Sequence, residues 1–466
     1  MRLRTRRLLA IALGVGAAVL LLCVAEFSVR ALGLGEPDVG ENTTGAESSG
    51  FVMDPLLGAR PQPGWSGLWY GKFPVIIDDD GFRSHGVPPP PVGAPRVAFI
   101  GDSCTFGWGM DTEDTFVARL ATTLAARGLH YELVNAGFPG DSAVGGRYVF
   151  TERVLPKNPD LVVVGFSANN AFRYTAMRES RVYRNFTMRK WFSRSRLAAV
   201  AAAAVAGDAP PALHPRTAVA YKHLPYAQWD RVASADEFEA ALRDIVRRTR
   251  SSGAEALFLL FPRASEVSTA YLNEDAAVAT RSDPHPSRAS DESITEREIM
   301  LIGFSCLDHR ATDDPAGLFE DRYRYWQPVF PTATNVRAKL SVGAEAYVNG
   351  DYARAVARFE RAVELDPKSP LALYDLGVAK IANGQTTEGL ASLESAETLA
   401  CNVFLQYQVR IWRVALELDV EVVDLMLHFQ TRDASSLFID AAHPSAEGHA
   451  LISDALLPTV AAHFDR

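Results

Sequence analysis

Short apolar runs at 97–101, 131–136 and 160–166 alternate along this chain with helix-length stretches such as Thr115 to Arg127. The alternation resumes with a helical stretch from Ala235 through Arg250, a strand from Glu255 to Pro262, and a fifth strand, Glu421-Val422-Val423-Asp424. A last helix runs from Ser445 to about His463. Strands spaced by helices of this length predict a parallel sheet covered by helices on both faces, with ligands beyond the strands' carboxyl ends. Between the fourth and fifth strands lie roughly 140 residues, far more than a connecting loop needs, so this stretch is an insertion.

The carboxyl end of the first strand carries the chemistry. Val97-Ala98-Phe99-Ile100 breaks into Gly101-Asp102-Ser103, where the sheet fixes the serine's backbone and the loop exposes its hydroxyl. Such a hydroxyl needs an imidazole to take its proton and a carboxylate to hold that imidazole in the useful tautomer. Asp440 and His443, in Asp440-Ala441-Ala442-His443-Pro444, supply both from one short turn. No G-x-S-x-G elbow surrounds any serine, which disfavours the α/β-hydrolase fold. Gly137 and Asn169 also follow strand ends, so with Ser103 they converge on one rim. Asp102 reads as a turn residue satisfying local amides, and His449 as a structural residue along the final helix.

With these residues in place the chain resembles the SGNH, or GDSL-type, esterase and acyltransferase superfamily. Gly101-Asp102-Ser103 with Thr105-Phe106-Gly107 is similar to its first block, and Asp440-Ala441-Ala442-His443-Pro444 with Gly448-His449 to its last. Ile77-Asp78-Asp79-Asp80-Gly81-Phe82-Arg83 resembles the lead-in of membrane-anchored members. The third block departs from the family, reading Ser167-Ala168-Asn169-Asn170 where G-x-N-D is usual, and leaves Asn170 as the fallback for Asn169. The resemblance implies a flavodoxin-like three-layer α/β/α fold with a five-stranded parallel sheet. It also implies Ser103 as nucleophile, His443 as base, Asp440 as orienting carboxylate, and an oxyanion hole from Ser103, Gly137 and Asn169. Three functions follow from it: an esterase acting on acylated carbohydrate or other small esters, an O-acyltransferase of polysaccharide modification, or an inactive hydrolase fold whose repeats bind a protein.

Residues 8 to 25 are apolar and follow Arg2, Arg4, Arg6 and Arg7, a pattern long enough to span a bilayer with the arginines on the cytoplasmic side. No small-x-small cleavage site follows, which favours an uncleaved single-pass anchor over a signal peptide and puts the body on the extracytoplasmic side. Without those four arginines the net charge of −9 becomes about −13, which argues against nucleic acid as a partner. Four cysteines are few for an exported chain; Cys23 and Cys104 are poor disulfide candidates, and Cys306 with Cys401 is left open as a pair. No metal motif and no cofactor signature is present in the sequence.

The organisation expected is an anchor at 1–35, a tether and β-rich lead-in at 36–94, and the first part of the hydrolase core at 95–300. A helical insertion at 301–403 and the last part of the core at 404–466 complete it. The insertion declares itself by a repeat: Gly343 and Gly377, Gly350 and Gly384, and Ala362 and Ala396 are each 34 residues apart, so residues 337–400 resemble tetratricopeptide repeats. Two such units cannot bury their faces alone and must lean on a capping helix from about Phe404 to Leu418 or on the core. They offer either a surface for a protein partner or a brace over the active site. Residues 280–295 are polar, and the alanine-rich run Leu197 to Ala206 reads as a packed or surface-lying helix too short to span a membrane.

Overall fold

The computed structural model describes residues 2–32, 50–54, 57–69, 73–166, 168–170, 173–175, 190, 195–198, 200, 230–263, 334–400, 403–432, 434–440 and 442–464. The expectations for residues 280–295, for the tether at 36–49 and for Cys306 with Cys401 lie outside them. The chain divides into two compact units.

One unit holds residues 1–47, 51–60 and 182–218. Its helix α1 (Arg2–Ala31) contains an apolar stretch, Leu13–Ala31, of mean hydropathy 1.8, long enough to cross a membrane. Glu26 interrupts that stretch, accepting from Arg30 Nε at 2.7 Å, Ser195 Oγ at 2.7 Å and the amides of Arg196 and Leu197, each at 2.9 Å. The start of the alanine-rich run is therefore hydrogen-bonded to α1, as a packed helix would be.

The second unit, residues 48–50, 61–181 and 219–466, is built on five parallel strands. The first unit also holds β1 (Phe51–Asp54) and all but the last residue of β2 (Gly58–Pro61), whereas in the second the lead-in supplies the antiparallel pair β3 (Ser66–Trp69) and β4 (Phe73–Ile76). The central sheet takes β5 (Arg96–Gly101), β6 (Glu132–Gly137), β7 (Leu161–Gly165), β8 (Glu255–Leu260) and β9 (Glu421–Asp424). Their spatial order, β9-β8-β7-β5-β6, is the doubly wound 2-1-3-4-5 arrangement, whose direction reverses at β5. Alternate strand residues face opposite layers because the side-chain period is two. Val97, Phe99, Leu161, Val163, Leu257 and Leu259 pack with α2 (Phe116–Ala126) and with the final helix, α3 (Ala446–Phe464). Ala98, Ile100, Val162, Val164, Phe258 and Leu260 pack on the other face with α4 (Ala143–Val149) and α5 (Ala235–Ser251). The capping box of α5, Ser234 with Glu237, fixes where that helix begins.

Between β8 and β9 the repeats form two helix pairs, α6 (Thr334–Val348) with α7 (Tyr352–Leu365) and α8 (Pro370–Ala382) with α9 (Thr386–Leu399). Gly343 makes room for the Phe359 ring and Gly377 for Leu393 and the Gly389 carbonyl, which is why small residues recur at that spacing. The helix α10 (Val403–Leu418) caps the pair and also packs on α5, so the apolar core of the repeats and that of the sheet are continuous. The joint is also polar. Asp424, at the end of β9, is buried; it accepts from Tyr374 Oη at 2.7 Å, Trp412 Nε1 at 3.0 Å and the amide of Met426 at 2.9 Å.

Beside it Asp375 is fully buried, with Gln430 Nε2 donating to Oδ1 at 3.1 Å and no hydrogen-bond partner on Oδ2 among the described residues. Burial, together with the charge of Asp424, holds its carboxyl well above the usual carboxylate range against the pull of Gln430. The folded chain then keeps a proton that the unfolded chain releases, so stability falls as pH rises above about 4 until the folded carboxyl ionises. Asp375→Asn, which imitates the protonated acid, should remove that slope. Melting temperatures of the detergent-solubilised chain between about pH 5 and pH 8 should diverge in the variant's favour, and parallel curves would refute a protonated Asp375.

Candidate active site

Ser103 opens a single helical turn, Ser103–Phe106, that lies directly on the sheet's carboxyl rim. Asp102 caps the turn by accepting from the amide of Cys104 at 3.0 Å, and Gly107 ends it with φ +86°. The close seating depends on three glycines in register at the strand ends, Gly101 flanked by Gly137 and Gly165. A Cβ at Gly101 would overlap Thr105 and the Gly165 carbonyl, and one at Gly137 would overlap the backbone of Thr105 and Phe106. Thr105 Oγ1 donates to Gly165 O at 2.9 Å and so ties the turn to β7.

The candidate base, His443, comes from a loop closed by a bridge between Phe438 and Pro444, with Ile439 N donating to His443 O at 3.0 Å. Asp440 Oδ1 accepts from the amides of Ala442 and His443, both at 2.8 Å, which leaves Oδ2 to meet His443 Nδ1 at 2.7 Å. His443 Nε2 lies 2.8 Å from Ser103 Oγ. The structure therefore brings Ser103, His443 and Asp440 into one hydrogen-bonded chain. Burial pushes the Asp440 carboxyl up, but the hydrogen bond and charge of His443 and the two amides hold it below the ordinary range. It stays a carboxylate suited to orienting Nδ1–H toward itself and Nε2 toward the serine.

The expected oxyanion residues fare differently. Gly137 N–H donates to Asn135 Oδ1 at 3.1 Å, and the residue lies buried beneath the nucleophile turn, where a side chain would overlap that turn's backbone. Asn169 is partly buried and its Nδ2 donates to Asp141 O at 3.1 Å. Asn170, the fallback, is fully buried, its Oδ1 accepting from Ala143 N at 2.8 Å and its carbonyl from Ala233 N, which makes it a scaffold residue. His449 is also structural: Nδ1 accepts from Phe116 N at 3.2 Å, the imidazole stacks on that ring, and burial pushes its pKa down to about 3.

Three contributors carried no role in the sequence. Arg83 is buried and donates to Phe106 O at 3.1 Å, Gly107 O at 2.6 Å and Met110 O at 2.5 Å, gripping the carboxyl end of the nucleophile turn. Burial pushes its guanidinium down to about 9. Trp108, just past the first block, has its ring 6.0 Å from that of His443 and is backed by Phe73 at 5.2 Å and Trp69 at 6.3 Å. Arg263, three residues beyond the end of β8, lies behind the base loop. Their signal was position: each falls within or just after a segment that reaches the rim. Among the described residues no group of His, Cys, Asp and Glu could hold a metal ion.

The sequence matches the model of the GDSL-like lipase/acylhydrolase family over residues 99–289 and that of the tetratricopeptide repeat over residues 347–397. Esterase TesA of Pseudomonas aeruginosa is 34% identical over 80 residues, 17% of this chain; the chain spans 40% of that relative's length. Among solved structures, the acetyl xylan esterase AlAXEase aligns at 12% identity over 78% of this chain and 99% of its own, with a TM-score of 0.33. Axe2, an acetylxylan esterase from Geobacillus stearothermophilus, aligns at 14% over 79% and 95%, with a TM-score of 0.34. The lipase/acylhydrolase from Enterococcus faecalis aligns at 12% over 78% and 95%, with a TM-score of 0.33. The chain thus carries a GDSL-like lipase/acylhydrolase match followed along the sequence by a tetratricopeptide repeat match.

Proposed function

We propose that this chain is a membrane-anchored serine esterase that cleaves acyl groups from carbohydrate or other small alcohols on the extracytoplasmic side. The observation that carries the reading is the hydrogen-bonded chain from Asp440 through His443 to Ser103, seated where the sheet reverses direction. In this mechanism His443 takes the Ser103 proton as Oγ attacks the ester carbonyl, then returns it to the leaving alkoxide; water repeats the sequence on the acyl-enzyme. The developing oxyanion is met by Ser103 N–H at the amino end of the nucleophile turn and by the second hydrogen of Asn169 Nδ2. Asn169 is held for that role by the Asp141 carbonyl, in the turn closed by Asp141 N on Phe138 O.

Because His443 must reach the leaving oxygen, the alcohol part of the ester lies on its side of the serine. That side is walled by Trp108 and by Ile439, which is 46% exposed. An aromatic face of this kind suits the C–H face of a sugar ring. The four arginines ahead of the apolar helix support an extracytoplasmic body. The repeats are read as a brace, on the strength of the core they share with the sheet.

A fluorophosphonate probe should label the detergent-solubilised chain and fail on Ser103→Ala; an unlabelled wild type of native melting temperature would favour the inactive-scaffold reading. Asp440→Asn should lower kcat by about 10³–10⁴-fold with little change in KM, through loss of the productive tautomer. Trp108→Leu should raise KM about 10-fold for acetylated sugars while changing it less than about 3-fold for ethyl acetate, and an equal shift for both would remove the alcohol-side assignment. Acetyl transfer to added oligosaccharide in preference to water would convert the esterase reading into that of an O-acyltransferase.

A further inference from the structure

The two stems of the insertion meet directly behind the base loop. Arg263, on the chain leaving β8, is 2% exposed, and its guanidinium carbon lies 5.6 Å from the centre of the Phe404 ring on α10, the helix that returns the chain to β9. Arg263 Nη1 donates to Ala442 O at 3.3 Å and approaches Cys104 Sγ to 3.7 Å. Cys104 Sγ in turn donates to Ala442 O at 3.4 Å.

The peptide linking Ala442 to His443 is thus held at both ends. Its N–H, that of His443, is taken by Asp440 Oδ1, and its carbonyl, that of Ala442, accepts one donor from the nucleophile turn and one from the insertion stem. Rotation of that carbonyl would swing the imidazole, and a displacement of about 1 Å between a base and its nucleophile is enough to lower a rate some 100-fold. A cationic donor on a buried carbonyl holds such a peptide more firmly than a thiol alone, since charge-assisted hydrogen bonds are roughly twice as strong as neutral ones.

We infer that Arg263 is a positioning residue for His443, clamping the Ala442 carbonyl so that the base loop keeps its distance from Ser103 only while the α10 stem of the insertion is seated. The inference rests on the esterase reading. It goes further in assigning the insertion a role in the geometry of the site rather than in stability alone.

The test compares the full-length, detergent-solubilised wild type with Arg263→Met, Arg263→Lys and Phe404→Leu, following fluorophosphonate labelling rate, kcat and KM on an acetate ester, and melting temperature. Arg263→Met should lower kcat and the labelling rate about 10–100-fold with KM within about 2-fold of wild type, as loss of alignment without loss of binding requires. Arg263→Lys, which keeps a cationic donor, should recover most of that loss. Phe404→Leu should lower kcat about 2–5-fold, because the ring that seats the guanidinium is gone while the apolar bulk remains. Wild-type labelling by Arg263→Met, or no recovery by Arg263→Lys at an equal melting temperature, would overturn the inference. Should Arg263→Met not fold, an unchanged kcat in Phe404→Leu overturns it and the expected fall supports it. A folded wild type that resists the probe would overturn the esterase reading and this inference with it.

Discussion

Ser103 stands on one turn of helix, and a single turn does not hold itself: nucleating it fixes three residues for one hydrogen bond. Everything in the site depends on what grips that turn from outside. The glycines at the ends of β5, β6 and β7 let its backbone settle onto the sheet rim, Thr105 ties it to β7, and Arg83 fastens its last carbonyls. The grip comes from two directions, the strand ends below and the lead-in beside. The lead-in is consequently part of the site's machinery: it supplies Arg83, and also Phe73 and Trp69 behind Trp108.

The insertion is joined to the core by burial and by polar contacts, of which the buried one at Asp424 tolerates little change. Asp424 ends the strand β9, caps the helix that follows by accepting from Met426 N, and receives Tyr374 of the repeats and Trp412 of α10. Hydrogen bonds to a charged acceptor contribute roughly 1.5–3 kcal/mol each, and removing one donor leaves a buried carboxylate underpaired. Burial raises the Asp424 carboxyl, and these donors offset part of that rise. Asp375, with fewer donors and a carboxylate neighbour, cannot share the charge and keeps its proton instead. Burial raises both carboxyls, and Asp375, with fewer donors, further than Asp424.

Much of this was legible in the sequence. Runs of β-branched and aromatic residues bounded by glycine set the five strands to within one or two residues, and the 34-residue recurrence of glycine and alanine marked the repeats. The helix α4 escaped notice because Ala143-Val144-Gly145-Gly146 carries two glycines and no amphipathic stripe; it forms because Ser142 caps it and the sheet covers it. The meeting of Ser103, His443 and Asp440 in one hydrogen-bonded chain was legible because a serine after a strand end invites a search for a nearby imidazole and carboxylate. Gly137 shows how such a residue can be ambiguous in sequence. A glycine after a strand signals close approach of backbone, and here what approaches is the nucleophile turn itself rather than a substrate oxygen. Arg83 and Arg263 were hidden because an arginine in a loop resembles a solvated charge until the carbonyls it faces are known.

The separation between the two halves of the site bears on why such an insertion is tolerated. Ser103 and His443 are 340 residues apart, yet loop-closure entropy grows only with the logarithm of length. Lengthening an unstructured connection from about 200 to about 340 residues adds roughly 0.5 kcal/mol, too little to decide whether the fold closes. What the insertion must supply is geometry, since its ends have to leave β8 and enter β9 on neighbouring strands. Two helix pairs and a return helix meet that demand because α10 lies against α5 on the sheet face, delivering the chain to β9 with the repeats already leaning on the core. Any longer or looser insertion would satisfy the entropy equally well. Only one that docks keeps Phe404 against Arg263, and so keeps the insertion in register with the base loop.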